Sequence, residues 1–192
     1  MSILRRLTKA WIEIAGGAIL LGILLSGGPA SASDKPLPIR TGPPVETTPG
    51  VPHVQIGVEP VPELSAQLLR RVATLPGLDI RPTVIGMWGA KGFWLVETLD
   101  LTRPEAIFRA REFAHLHTDG SLHASLSPKR ATEAVAAGWA VRHPSAQYHD
   151  RLAGFVMLYT PRTEEELDVI FGLVVDGYTF VTGKAVRPGD HR

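Results

Sequence analysis

Residues 113–126 decide the fold, and they read FAHLHTDGSLHASL. Two runs in which apolar and polar residues alternate flank the turn Thr118-Asp119-Gly120, a pattern that predicts an antiparallel β-hairpin. Side chains alternate across a strand, so His115 and His117 share one face of the first strand. On the second strand, His123 points to the same side as the serines two residues before and after it.

The register of this hairpin follows from the length of its turn. A two-residue Asp-Gly turn would place His123 beside Leu116 and would mix apolar and polar residues on both faces. A three-residue turn, with Gly120 in the left-handed conformation, places His115 opposite His123 and leaves one face wholly apolar. Burial selects this second register, in which the β carbons of the two opposed histidines are about 5 Å apart and His117 lies on the diagonal.

The surrounding chain alternates strand and helix patterns with no βαβ repeat of regular length. Strands are expected over 79–88, 93–99 and 154–159, and helices from Glu63 to Pro76, over 128–137 and after the capping box 163–166. We therefore predict a small α+β domain over residues 63–185, followed by a tail over 186–192. Its sheet is expected to be mostly antiparallel, with β-hairpins packed against about three helices.

The composition restricts the chemistry. The 192 residues contain no Cys, which excludes disulfides, thiolate nucleophiles, iron–sulfur clusters and zinc sites with Cys ligands, so any metal must rest on His, Asp or Glu. Lys and Arg number 20 against 19 Asp and Glu, and this near-neutral charge predicts no nucleic-acid partner. The sequence has no motif typical of serine hydrolases, zincins or nucleotide-binding proteins.

The N-terminus predicts export. Residues 1–32 combine three early basic residues, the apolar stretch 14–25 and the small-residue sequence Ala30-Ser31-Ala32. This is the layout of a cleavable signal peptide; a retained membrane anchor is the alternative, because the segment is long enough to span a bilayer. The positive charge before the apolar stretch predicts that the remainder lies on the far side of the membrane. The protein is therefore expected to be membrane-anchored, periplasmic or secreted.

Residues 33–62 form a predicted linker. They hold eight of the sixteen prolines and show almost no apolar periodicity. Such a segment cannot bury enough surface to fold alone and is expected to be an extended tether. The folded domain then begins at Glu63.

Three imidazoles on one sheet face allow three interpretations. His115, His117 and His123 could supply three nitrogen ligands to a divalent metal and leave one coordination position open. One of them could instead act as a general base for an acidic or phenolic substrate, with its neighbours fixing its tautomer. The face could also be a polar surface on which the imidazoles only hydrogen-bond to Ser121, Ser125 or water.

Residues outside the hairpin carry weaker signals. Trp139 follows the end of a predicted helix and is expected in the core or in the wall of a cleft. The His143-Pro144 pair predicts a turn. Arg162, next to Pro161, either binds a carboxylate or is an exposed cation at the start of the last helix.

Four stretches together resemble a known family. They read REFAHLH (111–117), SLHASL (121–126), AGWAVRHP (137–144) and MLYTPRTEEE (157–166). In this order they resemble the luciferase-like domain of the luciferases of bioluminescent fungi and of many bacterial proteins, over roughly residues 105–182. The turn 118–120 is shorter than in the fungal proteins, and the first half of the domain matches them weakly.

The resemblance implies an oxygenation without a cofactor, in which a hydroxylated styryl-pyrone luciferin reacts with O2, loses CO2 and emits light. The matching positions are His115, His117 and His123 as catalytic candidates, and Trp139, His143, Tyr159 and Arg162 as binding candidates. Two hypotheses follow: an exported oxygenase in which a histidine deprotonates a small hydroxylated aromatic or pyrone substrate, and a non-enzymatic envelope module that binds a ligand or partner. Imidazoles converging in a closed concavity favour the enzyme, whereas a flat open face favours binding.

Overall fold

The predicted hairpin lies in the middle of an antiparallel sheet. A computed structural model describes residues 35–191, and the sheet within them has six strands. These are β1 (Leu78–Pro82), β2 (Lys91–Leu95), β3 (Glu112–Leu116), β4 (Leu122–Ser125), β5 (Ala140–Arg142) and β6 (Phe155–Leu158). Their order across the sheet is β1-β2-β3-β4-β6-β5, and every neighbouring pair is antiparallel. The predicted α+β class with a mostly antiparallel sheet is confirmed.

Three α-helices accompany the sheet in residues 35–191. They are α1 (Pro62–Val72), α2 (Pro128–Ala136) and α3 (Glu164–Thr182). Pro62 begins α1 at a position where its missing N–H leaves no bond unmade. The Ser127 hydroxyl caps α2 by accepting from the N–H of Arg130 at 3.1 Å. Gly183 ends α3 with a φ of 72°, the left-handed conformation that favours glycine.

The hairpin adopts the predicted three-residue register. His115 pairs directly with His123, and the N–H of His117 donates to the carbonyl of Ser121 at 2.8 Å. Gly120 has a φ of +86°, as this turn requires. All three hairpin imidazoles therefore lie on one face of the sheet, which we call the imidazole face.

The opposite face forms the hydrophobic core. Its hairpin residues are nearly inaccessible and pack beneath α3: Ala114, Leu116, Leu122 and Ala124. Tyr178 and Phe171 of α3 are among the largest fully buried side chains. Burying a side chain of this size contributes roughly 1.5–3 kcal/mol to the free energy of unfolding, so this face holds the fold together and the imidazole face is left for other chemistry.

The predicted linker packs against the domain. We call Lys35–Val61 the strap, and it contains no helix or strand of its own. Its backbone N–H at Arg40 donates to the carbonyl of Ala137 at 2.9 Å, and the Gln55 amide donates to the Thr160 hydroxyl at 2.6 Å. The tether prediction is thus corrected for these residues, because isolated backbone and side-chain hydrogen bonds hold the strap, and apolar periodicity does not reveal such contacts.

A loop also covers the imidazole face. The strands predicted over 79–88 and 93–99 pair with each other as β1 and β2, but the first of them ends at Pro82, and Thr83–Ala90 turns across the sheet. Gly86 in this loop approaches His115 so closely that an added β carbon would lie 2.8 Å from the imidazole Cδ2. The loop therefore forms part of the roof over the hairpin histidines.

The export prediction concerns residues 1–32, which lie outside the described residues. Between residues 35 and 191, no helix combines the length and the apolarity that crossing a membrane requires.

Candidate functional site

Five imidazoles converge beneath the strap and the loop. They belong to His53, His115, His117, His123 and His143, and each residue is between 2% and 6% exposed. We call this group the histidine cluster. The sequence predicted that the three hairpin histidines lie together and that His143 lies in a turn. It gave no sign that His53, in the predicted linker, belongs to the site.

His143 joins the cluster from the end of β5. It caps a short 3-10 turn over Pro144–Gln147, as the His-Pro pair predicted, and its Nδ1 accepts from the N–H of Ser145 at 3.1 Å. Its ring lies edge-on to His123, with the centroids 4.7 Å apart. Because Nδ1 accepts a hydrogen bond, the neutral imidazole carries its proton on Nε2.

A chain of close nitrogen contacts runs through the cluster. The Nδ1 of His53 lies 3.2 Å from the Nε2 of His123, and the Nδ1 of His123 lies 3.1 Å from the Nε2 of His115. The Nδ1 of His115 lies 3.1 Å from the Oε1 of Glu112, although this contact is too poorly aligned for a hydrogen bond. The Glu112 carboxylate accepts from the Thr83 hydroxyl at 2.5 Å and from the backbone N–H of Val84 at 2.8 Å.

These contacts favour one tautomer throughout the chain. A carboxylate that accepts two hydrogen bonds also favours a proton on the Nδ1 that faces it, so His115 presents a lone pair on Nε2. His123 can then donate from Nδ1 to His115, and His53 from Nδ1 to His123. In this arrangement the N–H groups of His53, His123 and His115 all point along the chain toward Glu112.

The carboxylate of Asp119 orients His117 through Ser121. The Ser121 hydroxyl donates to Oδ1 of Asp119 at 2.7 Å and lies 2.9 Å from the Nδ1 of His117. Because the hydroxyl hydrogen points to Asp119, the Ser121 oxygen accepts from His117, whose proton is then on Nδ1. The Nε2 of His117 keeps its lone pair and is available as a base or as a metal ligand.

Burial keeps four of the five imidazoles neutral. It lowers the pKa of His53 and takes the pKa of His123 well below its ordinary value, with the charges of the other imidazoles adding to the effect. Burial, and then repulsion from His115, lowers the pKa of His117 to about 4. Burial, and then repulsion from His53, lowers the pKa of His143 to about 4 as well. At neutral pH these four rings are uncharged, so each keeps one nitrogen lone pair.

Aromatic rings close one side of the cluster. Phe155 of β6 lies with its ring centroid 4.8 Å from that of His143 and 5.5 Å from that of His123. Phe108 packs against Phe155 at 5.4 Å. This apolar wall reduces the local dielectric constant and strengthens every polar interaction inside the cluster.

The other binding candidates form a separate group around Arg40 of the strap. The Arg40 guanidinium lies 6.0 Å from the ring centroid of Trp139 and 5.6 Å from that of Tyr159. Trp139 is buried, as predicted for a core or cleft-wall residue, and its indole N–H donates to the Pro38 carbonyl at 2.6 Å. Burial raises the pKa of Tyr159.

Arg162 binds a carboxylate of its own chain. Its guanidinium pairs with Glu166, and its backbone N–H donates to Glu166 Oε2 at 2.9 Å. The hydrogen bond to Glu166 raises the pKa of Arg162. Burial opposes ionisation of Glu166, but the bonds from Arg162 outweigh it and lower the pKa of the carboxyl group. Glu166 thus caps the start of α3 by accepting from the backbone N–H of Arg162. The Arg162 guanidinium is already paired with this carboxylate.

The cluster contains two sets of three nitrogens that could hold a metal ion. One set consists of His115, His117 and His123 and the other of His53, His123 and His143, and in each set the donor atoms lie within 4.8 Å of one another. His123 belongs to both. Chemically, the site can hold a divalent cation or present a neutral imidazole base.

Comparisons with known proteins match part of this domain to a luciferase domain. A family profile described as a luciferase domain matches residues 110–175. A luciferase of Armillaria gallica is 26% identical in an alignment of 171 residues that covers 76% of this chain and 61% of that protein. The luciferases of Armillaria ostoyae and Armillaria mellea are 35% and 34% identical in alignments of 83 residues that cover 38% of this chain and 29% of each relative. The chain thus covers less than two thirds of each of these relatives, and no solved structure matches it significantly.

Proposed function

From the premise that residues 110–175 belong to the luciferase-domain family, we propose that this protein is an oxygenase. It reacts a small hydroxylated aromatic or pyrone compound with O2 at the histidine cluster. The matched region contains four of the five clustered histidines and lacks only His53.

The observation that carries this proposal is the state of His117. Its Nδ1 is held by Ser121 and Asp119, its pKa is lowered to about 4, and its Nε2 therefore presents a lone pair at neutral pH. A positioned neutral imidazole is the group that general-base catalysis uses most often. The convergence of buried imidazoles also supports an enzyme over a flat, open binding face.

The proposed reaction balances without an external reductant. His117 accepts the proton of the substrate hydroxyl, and the resulting anion supplies the electron pair for a carbon–oxygen bond to O2. The proton then returns to the new peroxide, so one substrate and one O2 give one hydroperoxide. The substrate anion also offsets the unfavourable charge that His117 acquires in this buried site.

Access to the site depends on its cover. His117 is 5% exposed and His123 is 5% exposed, and His53 lies directly on His123. A substrate larger than O2 can reach Nε2 of His117 only if the strap or the loop Thr83–Ala90 moves aside. Closure after binding would exclude water from the reacting anion.

Oxygen consumption by the full-length protein tests the proposal. A panel of hydroxylated pyrones and phenols is offered, and O2 uptake and product formation are measured together. We expect His117→Ala to lower kcat/KM by about 100-fold or more, whereas His149→Ala, at an exposed position, retains the wild-type rate. Circular dichroism and the melting temperature check that both variants fold.

Two results would contradict the oxygenase. One is a wild-type protein that consumes no O2 with any compound of the panel, and the other is a folded His117→Ala variant with unchanged turnover. Ligand binding without O2 uptake would support the alternative, an envelope module that binds a small molecule.

We also propose that the protein is exported, on the support of the sequence of residues 1–32. Fractionation of cells that express the full chain, followed by mass determination, tests this. A product beginning at Ser33 indicates a cleaved signal, and an intact chain in the membrane fraction indicates an anchor. A cytoplasmic location of the intact chain would contradict export.

A further inference from the structure

We propose that His115, His117 and His123 bind one divalent first-row transition-metal ion. Their donor atoms lie within 4.8 Å of one another, and the Nε2 of His115 is 3.1 Å from the Nδ1 of His123. Two nitrogens bound to one tetrahedral ion at about 2.0–2.1 Å are separated by roughly 3.3 Å. This proposal does not rest on the oxygenation: a bound ion would take the Nε2 lone pair of His117 that the metal-free site offers as a base, and metal binding alone tests it.

Two of the three ligands are already oriented for a metal. His117 donates from Nδ1 to Ser121, which donates to Asp119, and His115 turns its Nδ1 toward Glu112. Both rings therefore present Nε2 with its lone pair. A carboxylate behind a ligating imidazole is the usual support of a protein metal site, since it fixes the tautomer and raises the basicity of the ligand.

The third ligand has its support in the strap. His123 would bind the ion through Nδ1 and keep its proton on Nε2, which lies 3.2 Å from the Nδ1 of His53. His53 then accepts a hydrogen bond from His123. In this arrangement each of the three ligands has a hydrogen-bonding or carboxylate partner on its second nitrogen, and His53 is a positioning residue.

The buried charge of Glu112 also fits a bound cation. Glu112 is 1% exposed, and the ion-pair partner it has among residues 35–191 is His115. A buried carboxylate without a basic partner is unfavourable, but a divalent ion on the other side of the His115 ring would compensate it. Asp119 occupies the corresponding place behind His117.

The second set of histidines is less suited to a metal. His143 accepts the N–H of Ser145 on Nδ1, so its neutral ring carries the proton on Nε2 and has no free lone pair. Binding through His143 would require loss of that proton or of the backbone hydrogen bond. His53, His123 and His143 therefore lack a ready third donor.

The donor types restrict the ion. Neutral imidazoles suit Zn²⁺, Co²⁺, Ni²⁺, Cu²⁺ and Fe²⁺, whereas Mg²⁺ and Ca²⁺ prefer oxygen ligands. Three protein nitrogens leave one position of a tetrahedral ion for an oxygen ligand. An ionised substrate hydroxyl has the chemistry for that position.

Metal titration of the full-length protein, stripped with a chelator, tests the site. Co²⁺ is added while visible absorption is recorded, because tetrahedral Co²⁺ absorbs strongly, and Zn²⁺ binding is measured by calorimetry. We expect one ion per chain. His115→Ala and His117→Ala should each lower affinity by about 100-fold or more, and Ser121→Ala by about 10–100-fold through the lost support of His117.

The matched controls separate the two sets. His143→Ala should retain the Co²⁺ spectrum and affinity to within about threefold, His149→Ala should match the wild type, and His53→Ala should weaken binding by about 10–100-fold. Ser121→Ala creates little change in volume, so it remains informative if a histidine variant fails to fold.

Failure of the wild type to bind either ion with one-to-one stoichiometry would overturn the proposal. So would binding that survives His117→Ala but is lost in His143→Ala. A protein that binds the ion but consumes no O2 would retain this site and contradict only the oxygenase.

Discussion

The rings of His53 and His123 stack almost in parallel. Their centroids are 5.3 Å apart, the planes meet at 9°, and the Nδ1 of His53 lies 3.2 Å from the Nε2 of His123. The two residues are 70 positions apart in the sequence, one in the strap and one in the middle of the sheet. The strap is thereby part of the site. Its contact with His123 couples the position of the strap to the protonation and ligand binding of the histidine cluster.

His53→Ala should destabilise the protein and uncover the cluster. Removing a buried ring and its polar contact costs about 1–3 kcal/mol of unfolding free energy, measured by urea denaturation. The variant should also let diethyl pyrocarbonate modify His123 faster than in the wild type, as followed by mass spectrometry. His149→Ala is the control, since this exposed side chain should change neither quantity. Equal modification rates at His123 in the wild type and in His53→Ala would show that the strap does not cover it.

Stability of the metal-free protein should fall as the pH falls from 6.5 to 5. The pKa of His117 and that of His143 are lowered to about 4, whereas an unfolded histidine has a pKa of about 6.5. In this window the unfolded chain binds protons that the folded chain does not, so protonation favours unfolding. Each group contributes at most about 1.4 kcal/mol per pH unit, and the contribution is complete above pH 6.5 and lost toward pH 4.

The test compares urea denaturation at several pH values above the ordinary carboxylate range. His143→Phe removes one titrating group and should make the slope between pH 6.5 and 5 shallower, while an aromatic ring still fills the space. A wild-type stability that stays constant from pH 6.5 to 5 would mean that the cluster accepts protons in the folded state.

The hairpin could be predicted because its sequence carries both signals that determine a strand pair. Alternation assigned each side chain to a face, and burial of the apolar face selected the register that pairs His115 with His123. The helix starts could be predicted equally well, since the effects of Pro62, Ser127 and Thr163 are local and lie within the first turn of each helix.

The rest of the site depends on contacts that local pattern does not encode. His53 lies in a proline-rich segment without periodicity, and its partner is remote in sequence. Glu112 has the pattern of a polar strand end, yet it is 1% exposed because the loop residues Thr83 and Val84 donate to it. Arg162 and Glu166 are four residues apart at the start of α3, and only the folded geometry shows that they form an ion pair.

Two glycines of α3 should respond in opposite ways to alanine. A β carbon on Gly177 would lie 2.6 Å from the backbone oxygen of Ser125, whereas one on Gly172 would meet nothing within 4 Å. Gly177→Ala must push α3 away from β4 and is expected to cost about 2–4 kcal/mol of unfolding free energy. Gly172→Ala should instead stabilise by about 0.5–1 kcal/mol, through the helix propensity of alanine. Chemical denaturation checks both values, and a neutral Gly177→Ala variant would contradict the close approach of α3 to the sheet.

The adjacent residues Lys129 and Arg130 of α2 should differ sharply in importance. The Nε of Arg130 lies 2.7 Å from the Oδ2 of Asp176 on α3, and both side chains are nearly inaccessible, at 6% and 4% exposure. Arg130→Met leaves the Asp176 carboxylate buried without this partner, which is expected to cost about 3–5 kcal/mol of unfolding free energy. Lys129 pairs with Glu133 at 3.8 Å on the surface, with 81% of its side chain exposed, so Lys129→Met should change stability by less than about 1 kcal/mol. The double variant Arg130→Met with Asp176→Leu should recover part of the loss, because it removes the buried carboxylate as well. If Arg130→Met alone were as stable as Lys129→Met, the ion pair would not be what joins α2 to α3.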